Sequence, residues 1–179
     1  MTTIIATRDE AGVIRFGWDS QVTSGGTSHA GTPKVFANGK VIFGCSGIVR
    51  TANILRYMDV PARKKGQDTR KWIVRHLIPA IISELKRVDA AYVSDHQVNT
   101  LSSVIIAVDD VLGYLGGDLA FHEDRKDAYA VGSGAAYALG ALLAGRNESD
   151  SLRIASHLDL YTNDDITVKK AKRLLKEAK

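Results

Sequence analysis

Lys34-Val35-Phe36-Ala37-Asn38-Gly39-Lys40-Val41-Ile42-Phe43-Gly44 reads as two short strands joined by an Asn-Gly turn. Asparagine and glycine tolerate the positive φ angles that two-residue hairpin loops demand, so the pair marks an antiparallel connection. Upstream, Thr3–Thr7 and Val13–Trp18 are β-branched or aromatic runs on either side of Asp9-Glu10-Ala11-Gly12, a turn signal. Ser24-Gly25-Gly26-Thr27-Ser28 reads as a polar loop. The first third of the chain is therefore expected to be antiparallel strands.

Downstream the period changes. A helix is expected from about Val49 to Asp59, stopping before Pro61. A second begins near Asp68, a suitable N-cap. Its Ile73, Leu77, Ile81 and Leu85, flanked by Val74, Ile78, Ile82 and Val88, form a wide apolar stripe, and Pro79 is expected to kink it. Strands return at Ser103–Val108, Val111–Leu115 and Asp127–Val131. Gly132-Ser133-Gly134 then leads into the Ala-rich helix 135–144, closed by Gly145. A helix from Asp150 to His157, a strand Leu158–Thr162 and a basic helix Ile166–Ala178 complete the reading. Strands and helices in blocks indicate α+β layering rather than βαβ units. The expected architecture is a four-layer αββα sandwich, two antiparallel sheets between helix layers, as one domain over residues 1–179.

The bulk composition excludes several classes. Of 179 residues, 45% are hydrophobic and 25% charged, which suits a packed core rather than disorder. The lone cysteine, Cys45, cannot form an internal disulfide, and no basic stretch precedes an apolar run at the N-terminus, so a cytoplasmic location is expected. No window reaches the roughly 20 apolar residues of a membrane span. The net charge of +4 gathers at Arg63-Lys64-Lys65, Arg70-Lys71 and 169–173, without interleaved aromatics or a DNA-binding pattern, so neither nucleic acid nor membrane is an expected partner. These clusters read as solvated faces or as docking surface for acidic segments. The five histidines lack ligand spacing, and no cofactor is expected to be required.

The chemistry starts at the N-terminus. Removal of Met1 would leave Thr2 first, with an α-amine whose unperturbed pKa, near ~8, lets it take the hydroxyl proton. Gly17-Trp18-Asp19-Ser20-Gln21-Val22-Thr23-Ser24-Gly25 resembles the small-x-Asp-Ser/Gly-x-x-Thr-x-Gly signature of proteasome β and HslV subunits. Thr32-Pro33-Lys34-Val35-Phe36 and Val41–Gly47 resemble the next two strands of that family. Val131-Gly132-Ser133-Gly134-Ala135-Ala136-Tyr137-Ala138 is similar to its Gly-Ser-Gly-x-x-Tyr-Ala segment, and Leu160-Tyr161-Thr162-Asn163 to an Ile-Tyr-Thr-Asn near the C-terminus. The matches run in order from Thr2 to Asn163. Another amidase with an N-terminal nucleophile would share the fold but not the Gly-Ser-Gly-x-x-Tyr-Ala segment.

The resemblance implies an N-terminal-nucleophile hydrolase, a threonine peptidase of unfolded chains whose subunit itself uses no ATP. Thr2 would be the nucleophile and Lys34 the cation beside it, with Asp19 holding Lys34. Gly47 N–H would receive the oxyanion, and Ser133 would hydrogen-bond the Thr2 amine or act as a helix N-cap. Main-chain groups of Thr23 and Gly47 would pair with substrate, and Val22, Thr32, Cys45 and Val49 would line a small neutral specificity pocket. Carbonyls of Ser156, Asp159 and Thr162 would face a monovalent or divalent cation in a structural role. The partners implied are a ring of six or seven copies, stacked in pairs, and a separate AAA+ unfoldase. Retention of Met1 would instead give a silent ring or scaffold subunit. Two departures stand out: Trp18 replaces a small residue, and Gly47-Ile48-Val49-Arg50-Thr51 replaces Gly-Gly-Thr-Ala-Asp.

Overall fold

The computed structural model describes residues 2–24, 27–31, 33–94, 97–123 and 127–178, and the side chains of all these except 24 and 27–30. One antiparallel sheet contains β1 (Thr3–Arg8), β2 (Ile14–Asp19), β12 (Ala128–Gly132) and β13 (Ile166–Lys170), in the order β12-β1-β2-β13. The other contains β5 (Val35–Asn38), β6 (Val41–Ser46), β9 (Ser103–Val108), β10 (Val111–Leu115) and β11 (Phe121–His122), in the order β11-β10-β9-β6-β5. Between them lie Ile4, Phe16 and Val131 from the first sheet and Ile42, Ile105 and Leu112 from the second. The alternation of strand side chains explains the rest. Phe43, Val104 and Ile106 point the other way, onto α1 (Val49–Tyr57) and α3 (Ile78–Arg87). Ile5 points away from the inter-sheet core onto α4 (Ala135–Leu143) and α5 (Glu148–Leu158). The four-layer αββα sandwich is the observed fold.

The helix ends follow their local chemistry. Asn147 caps α5 by accepting from Asp150 N at 2.9 Å, and Gly145, at φ 84°, closes α4. Asp68 likewise caps α2 (Thr69–Trp72), accepting from Lys71 N at 2.7 Å. The expected kink at Pro79 takes another form. Between α2 and α3 the backbone makes a π turn, Ile73–Leu77, in which Ile78 N donates to Ile73 O. Pro79 then falls in the first turn of α3, where a missing N–H costs least.

Two expectations are corrected. The segment Leu158–Thr162 is not a strand: α5 runs through Leu158 and the chain then turns, leaving Leu160 90% exposed. Ile166–Lys170 is not helical but is strand β13, paired with β2 from Ile166↔Asp19 to Lys170↔Arg15. Its β-branched Ile166-Thr167-Val168 suits a sheet edge, and only Ala171–Glu177, α6, is helix. Two hairpins also add to the reading. Gln21–Ser24 (β3) pairs with Thr27–Ala30 (β4) where a polar loop is expected, and Tyr92–Ser94 (β7) pairs with Gln97–Asn99 (β8). No helix among the described residues is long and apolar enough to cross a membrane.

Candidate active site

Five chain segments meet at one end of the sandwich: the start of β1, the ends of β2, β6 and β12, and the residue preceding β5. The β1–β12 register sets Thr3 opposite Gly132, which brings Thr2 onto the Gly-Ser-Gly turn. Gly132 has φ 104°, and a Cβ there would lie 1.8 Å from the Thr2 carbonyl oxygen. Only glycine permits that approach. Gly134 is equally constrained, since a Cβ would come within 2.2 Å of Thr3 Oγ1.

Thr2 is 4% exposed, and its hydroxyl donates to Asp19 Oδ1 at 2.5 Å while accepting from Lys34 Nζ. Lys34 Nζ also meets Asp19 Oδ2 at 2.8 Å. The Asp19 carboxylate is fully buried, yet four donors surround it: the Thr2 hydroxyl, the Lys34 ammonium, Thr3 N at 2.8 Å and Gln21 N at 2.9 Å. A buried charge is tolerable when it is paired and hydrogen-bonded in this way. Burial holds the Lys34 ammonium below the ordinary lysine value, and Asp19 opposes that shift by charge and by hydrogen bond.

Ser133 lies beside Thr2: its hydroxyl donates to Asp159 Oδ2 at 2.7 Å and is 3.5 Å from the Thr2 carbonyl oxygen. The N-cap of α4 is Gly134 rather than Ser133. Asp159 Oδ2 also accepts from Thr162 Oγ1 at 2.6 Å, and that hydroxyl lies 2.6 Å from Thr3 Oγ1. This chain from Ser133 to Thr3 was not legible in sequence, since its members are up to 159 positions apart. The nearest signal was Thr162 within the Leu160–Asn163 match. Asn163 of the same segment holds the turn after Asp19, accepting from Ser20 N at 3.2 Å.

Gly47 follows the end of β6 at φ 113°. Its neighbour Ser46 is buried, with Oγ 3.1 Å from the point a Gly132 Cβ would occupy, so Gly47 adjoins the Thr2 turn. Among the expected pocket residues, Val22 is half-buried on β3 and Val49, 49% exposed, opens α1. Cys45 is buried among the side chains facing the helix layer, and burial pushes its thiol up to about 12, which rules against a thiolate nucleophile. Thr23 is partly buried, and its Oγ1 has no hydrogen-bond partner among the described residues. Thr32 and Met1 lie outside the described residues.

At the expected cation loop, Ser156 Oγ donates to Arg153 O at 2.8 Å, and the Asp159 carbonyl accepts from Thr162 N at 3.2 Å. No group of three or more His, Cys, Asp or Glu suited to a metal occurs among the described residues. A cation here would rest on loop carbonyls, one of them already engaged. Trp18, the departure from a small residue, is buried in the inter-sheet core against β13.

No protein-family model matches the chain. The ATP-dependent protease subunit HslV of Thermoanaerobacter sp. (strain X514) is 32% identical over 183 residues, spanning 93% of this chain and 96% of that protein. The chain belongs to the HslV family. The HslV subunit of Campylobacter hominis is also 32% identical, over 92% of this chain and 93% of its own length, and that of Petrotoga mobilis is 28% identical over 93% and 95%. Among solved structures, Thiobacillus denitrificans BPH superposes with a TM-score of 0.74 over 94% of this chain and 96% of its own, at 19% identity. Eukaryotic HslV from Trypanosoma brucei gives 0.66 over 94% and 98%, also at 19%. At that identity the two structures speak to the fold, and they share it with this HslV-family chain.

Proposed function

We propose that this HslV-family chain is a threonine-type peptidase subunit with Thr2 as nucleophile once Met1 is removed. The observation that carries the reading is the Thr2 hydroxyl held between a buried carboxylate and a buried ammonium. Thr2 Oγ attacks the scissile carbonyl, and its proton passes to the free Thr2 amine and on to the leaving amine, giving an ester that water hydrolyses. Lys34 favours the alkoxide by its charge, and Asp19 fixes Lys34. Gly47 N–H takes the developing oxyanion, with no side chain to bar the substrate. Main-chain groups of Thr23 and Gly47 extend the substrate as an added strand. Val22, Cys45, Val49 and Thr32 supply a small neutral pocket. A cation at the Ser156–Thr162 loop, if bound, is structural and takes no part in these steps.

The substrates are unfolded polypeptides, and the subunits form a closed ring of six or seven, stacked in pairs. Tyr137 and Leu143, 44% and 68% exposed on α4, support self-association, which cyclic closure would confine. The relatives are named as subunits of ATP-dependent proteases, yet this sequence holds no Gly-x-x-x-x-Gly-Lys-Ser/Thr loop. The ATP step therefore belongs to a separate ring-shaped AAA+ partner, and the basic clusters at Arg63–Lys71 and 169–173 are its candidate docking surfaces. The Thr2 hydroxyl between Asp19 and Lys34 supports an active subunit over a silent one that retains Met1.

The test is intact mass and turnover. The purified chain should lack the Met1 mass, add one equivalent of a threonine-directed inhibitor and cleave a fluorogenic peptide. Thr2→Ala should abolish both reactions and keep its thermal unfolding midpoint. Full turnover by Thr2→Ala would remove the mechanism.

A further inference from the structure

The end of β6 carries a second serine contact that the mechanism above does not use. Antiparallel pairing of β6 with β9 runs to Ser46↔Ser103, so the next register position sets Gly47 against Ser102. There the ladder stops, because Gly47 has φ 113°. A side chain takes over. Ser102, 3% exposed, accepts from Ile48 N through its Oγ at 3.1 Å. The fit is tight: a Cβ on Gly47 would lie 2.4 Å from Leu101 O, 2.7 Å from Ser102 Cα and 2.8 Å from Ser102 Oγ. The bracing segment is itself fixed, since Thr100, buried at 4%, donates its N–H to Gly117 O at 2.7 Å.

We infer that Ser102 is a positioning residue for the oxyanion-binding turn at Gly47, an inference that rests on the peptidase reading. Glycine with a positive φ is the freest point of a backbone, and an N–H that must meet an oxyanion cannot be left free. The β6–β9 ladder holds the chain on one side of Gly47. The Ser102 hydroxyl holds the peptide group on the other side, between Gly47 and Ile48. With both neighbours pinned, the Gly47 N–H keeps one direction without any atom of Ser102 touching substrate. Without the hydroxyl, the Ile48 N–H loses its acceptor and the turn can rotate. The loss should fall mainly on the transition state, where the oxyanion exists, and less on ground-state peptide binding, to which Gly47 contributes one of several contacts.

The experiment compares wild type, Ser102→Ala, Ser102→Thr and Thr2→Ala. Amide hydrogen exchange at Ile48 reads the brace directly, and kinetics with a peptide substrate and a peptide aldehyde read its effect. Ser102→Ala should accelerate Ile48 exchange and lower kcat by roughly tenfold or more with a much smaller rise in KM, a fraction of the ~10²–10³ lost when an oxyanion donor is removed outright. The aldehyde, whose adduct carries the oxyanion, should weaken by the same factor as kcat. Ser102→Thr, which keeps the hydroxyl, should restore both. Unchanged Ile48 exchange in Ser102→Ala would overturn the inference, as would equal losses in kcat and substrate affinity that Thr fails to rescue. An inactive wild type, indistinguishable from Thr2→Ala, would count against the peptidase reading, while the exchange rates would still decide the brace.

Discussion

Replacing Gly132 by alanine tests whether the Thr2 position is imposed by backbone contact. The added Cβ would lie 1.8 Å from the Thr2 carbonyl oxygen and 2.8 Å from its carbon, whereas ordinary contacts begin at 3.4 Å. Both atoms belong to the Thr2 backbone, so no side-chain rotation relieves the clash, and the two strands must part by about 1 Å or more. Thr2 Oγ1 sits 2.5 Å from Asp19 Oδ1, and a shift of that size takes it out of hydrogen-bond range. Misplacement of a reacting group by ~1 Å costs about 10²-fold in rate. The left-handed backbone adds a separate cost of about 1–2 kcal/mol for any residue with a Cβ. Gly145→Ala separates the two, because Gly145 also has a positive φ, 84°, but nothing lies within 4 Å of its added Cβ. Gly145→Ala should therefore lower stability by about 1 kcal/mol in a denaturant titration and leave peptide hydrolysis unchanged. Gly132→Ala should lose more stability than that and about 100-fold or more of kcat/KM. Equal stability losses in the two variants, or Gly132→Ala activity within about threefold of Gly145→Ala, would refute the reasoning.

The Lys34 ammonium predicts a pH signature. Its folded pKa lies below the ordinary 10.5 because burial outweighs the attraction of Asp19, so between the two values the unfolded chain binds more protons than the folded one. Stability should accordingly rise with pH through that window as the buried charge is released, and activity should fall over the same range as the cation beside Thr2 is lost. Denaturant titrations against pH should show the rise in wild type and its absence in Lys34→Met; a rise of equal size in Lys34→Met would refute the assignment. Cys45, buried and with its thiol pushed up to about 12, should resist alkylation near pH 8 in the folded protein and take one equivalent after unfolding. Labelling of the native chain at the unfolded rate would contradict that burial.

Sequence exposed those parts of the fold whose causes are local. Asn38-Gly39 declared a hairpin turn, and Gly39 has φ 58°; Asp68 announced the helix it caps. The Thr2, Asp19 and Lys34 positions were readable only by resemblance, since nothing nearby in sequence says that they touch. Long-range contacts stayed hidden. The role of Asp159 depends on Ser133 and Thr162 arriving from different elements, and the placement of Gly132 depends on its register with Thr3. The C-terminal misreading has a plain origin: Lys169 and Lys170 extend a basic pattern into α6, while pairing with β2 decides the conformation of Ile166–Lys170. Tertiary pairing overrode local pattern there.

The π turn at Ile73–Leu77 bears on which changes of length the helix can survive. A wider turn is one residue more than an α-helical ladder needs, so a one-residue deletion in this stretch leaves an uninterrupted α-helix of the right phase for Ile78, Ile81 and Leu85. Pro79 would then sit in a helix interior, against a carbonyl four residues back with no N–H to offer it, at a cost of ~3 kcal/mol or more. Deletion and proline are thus coupled: the shortened chain should unfold at lower denaturant than wild type, and adding Pro79→Ala should recover most of the difference. A homologous chain one residue shorter here is expected to lack the proline, because the deletion and Pro79 are individually compatible with the helix but not together.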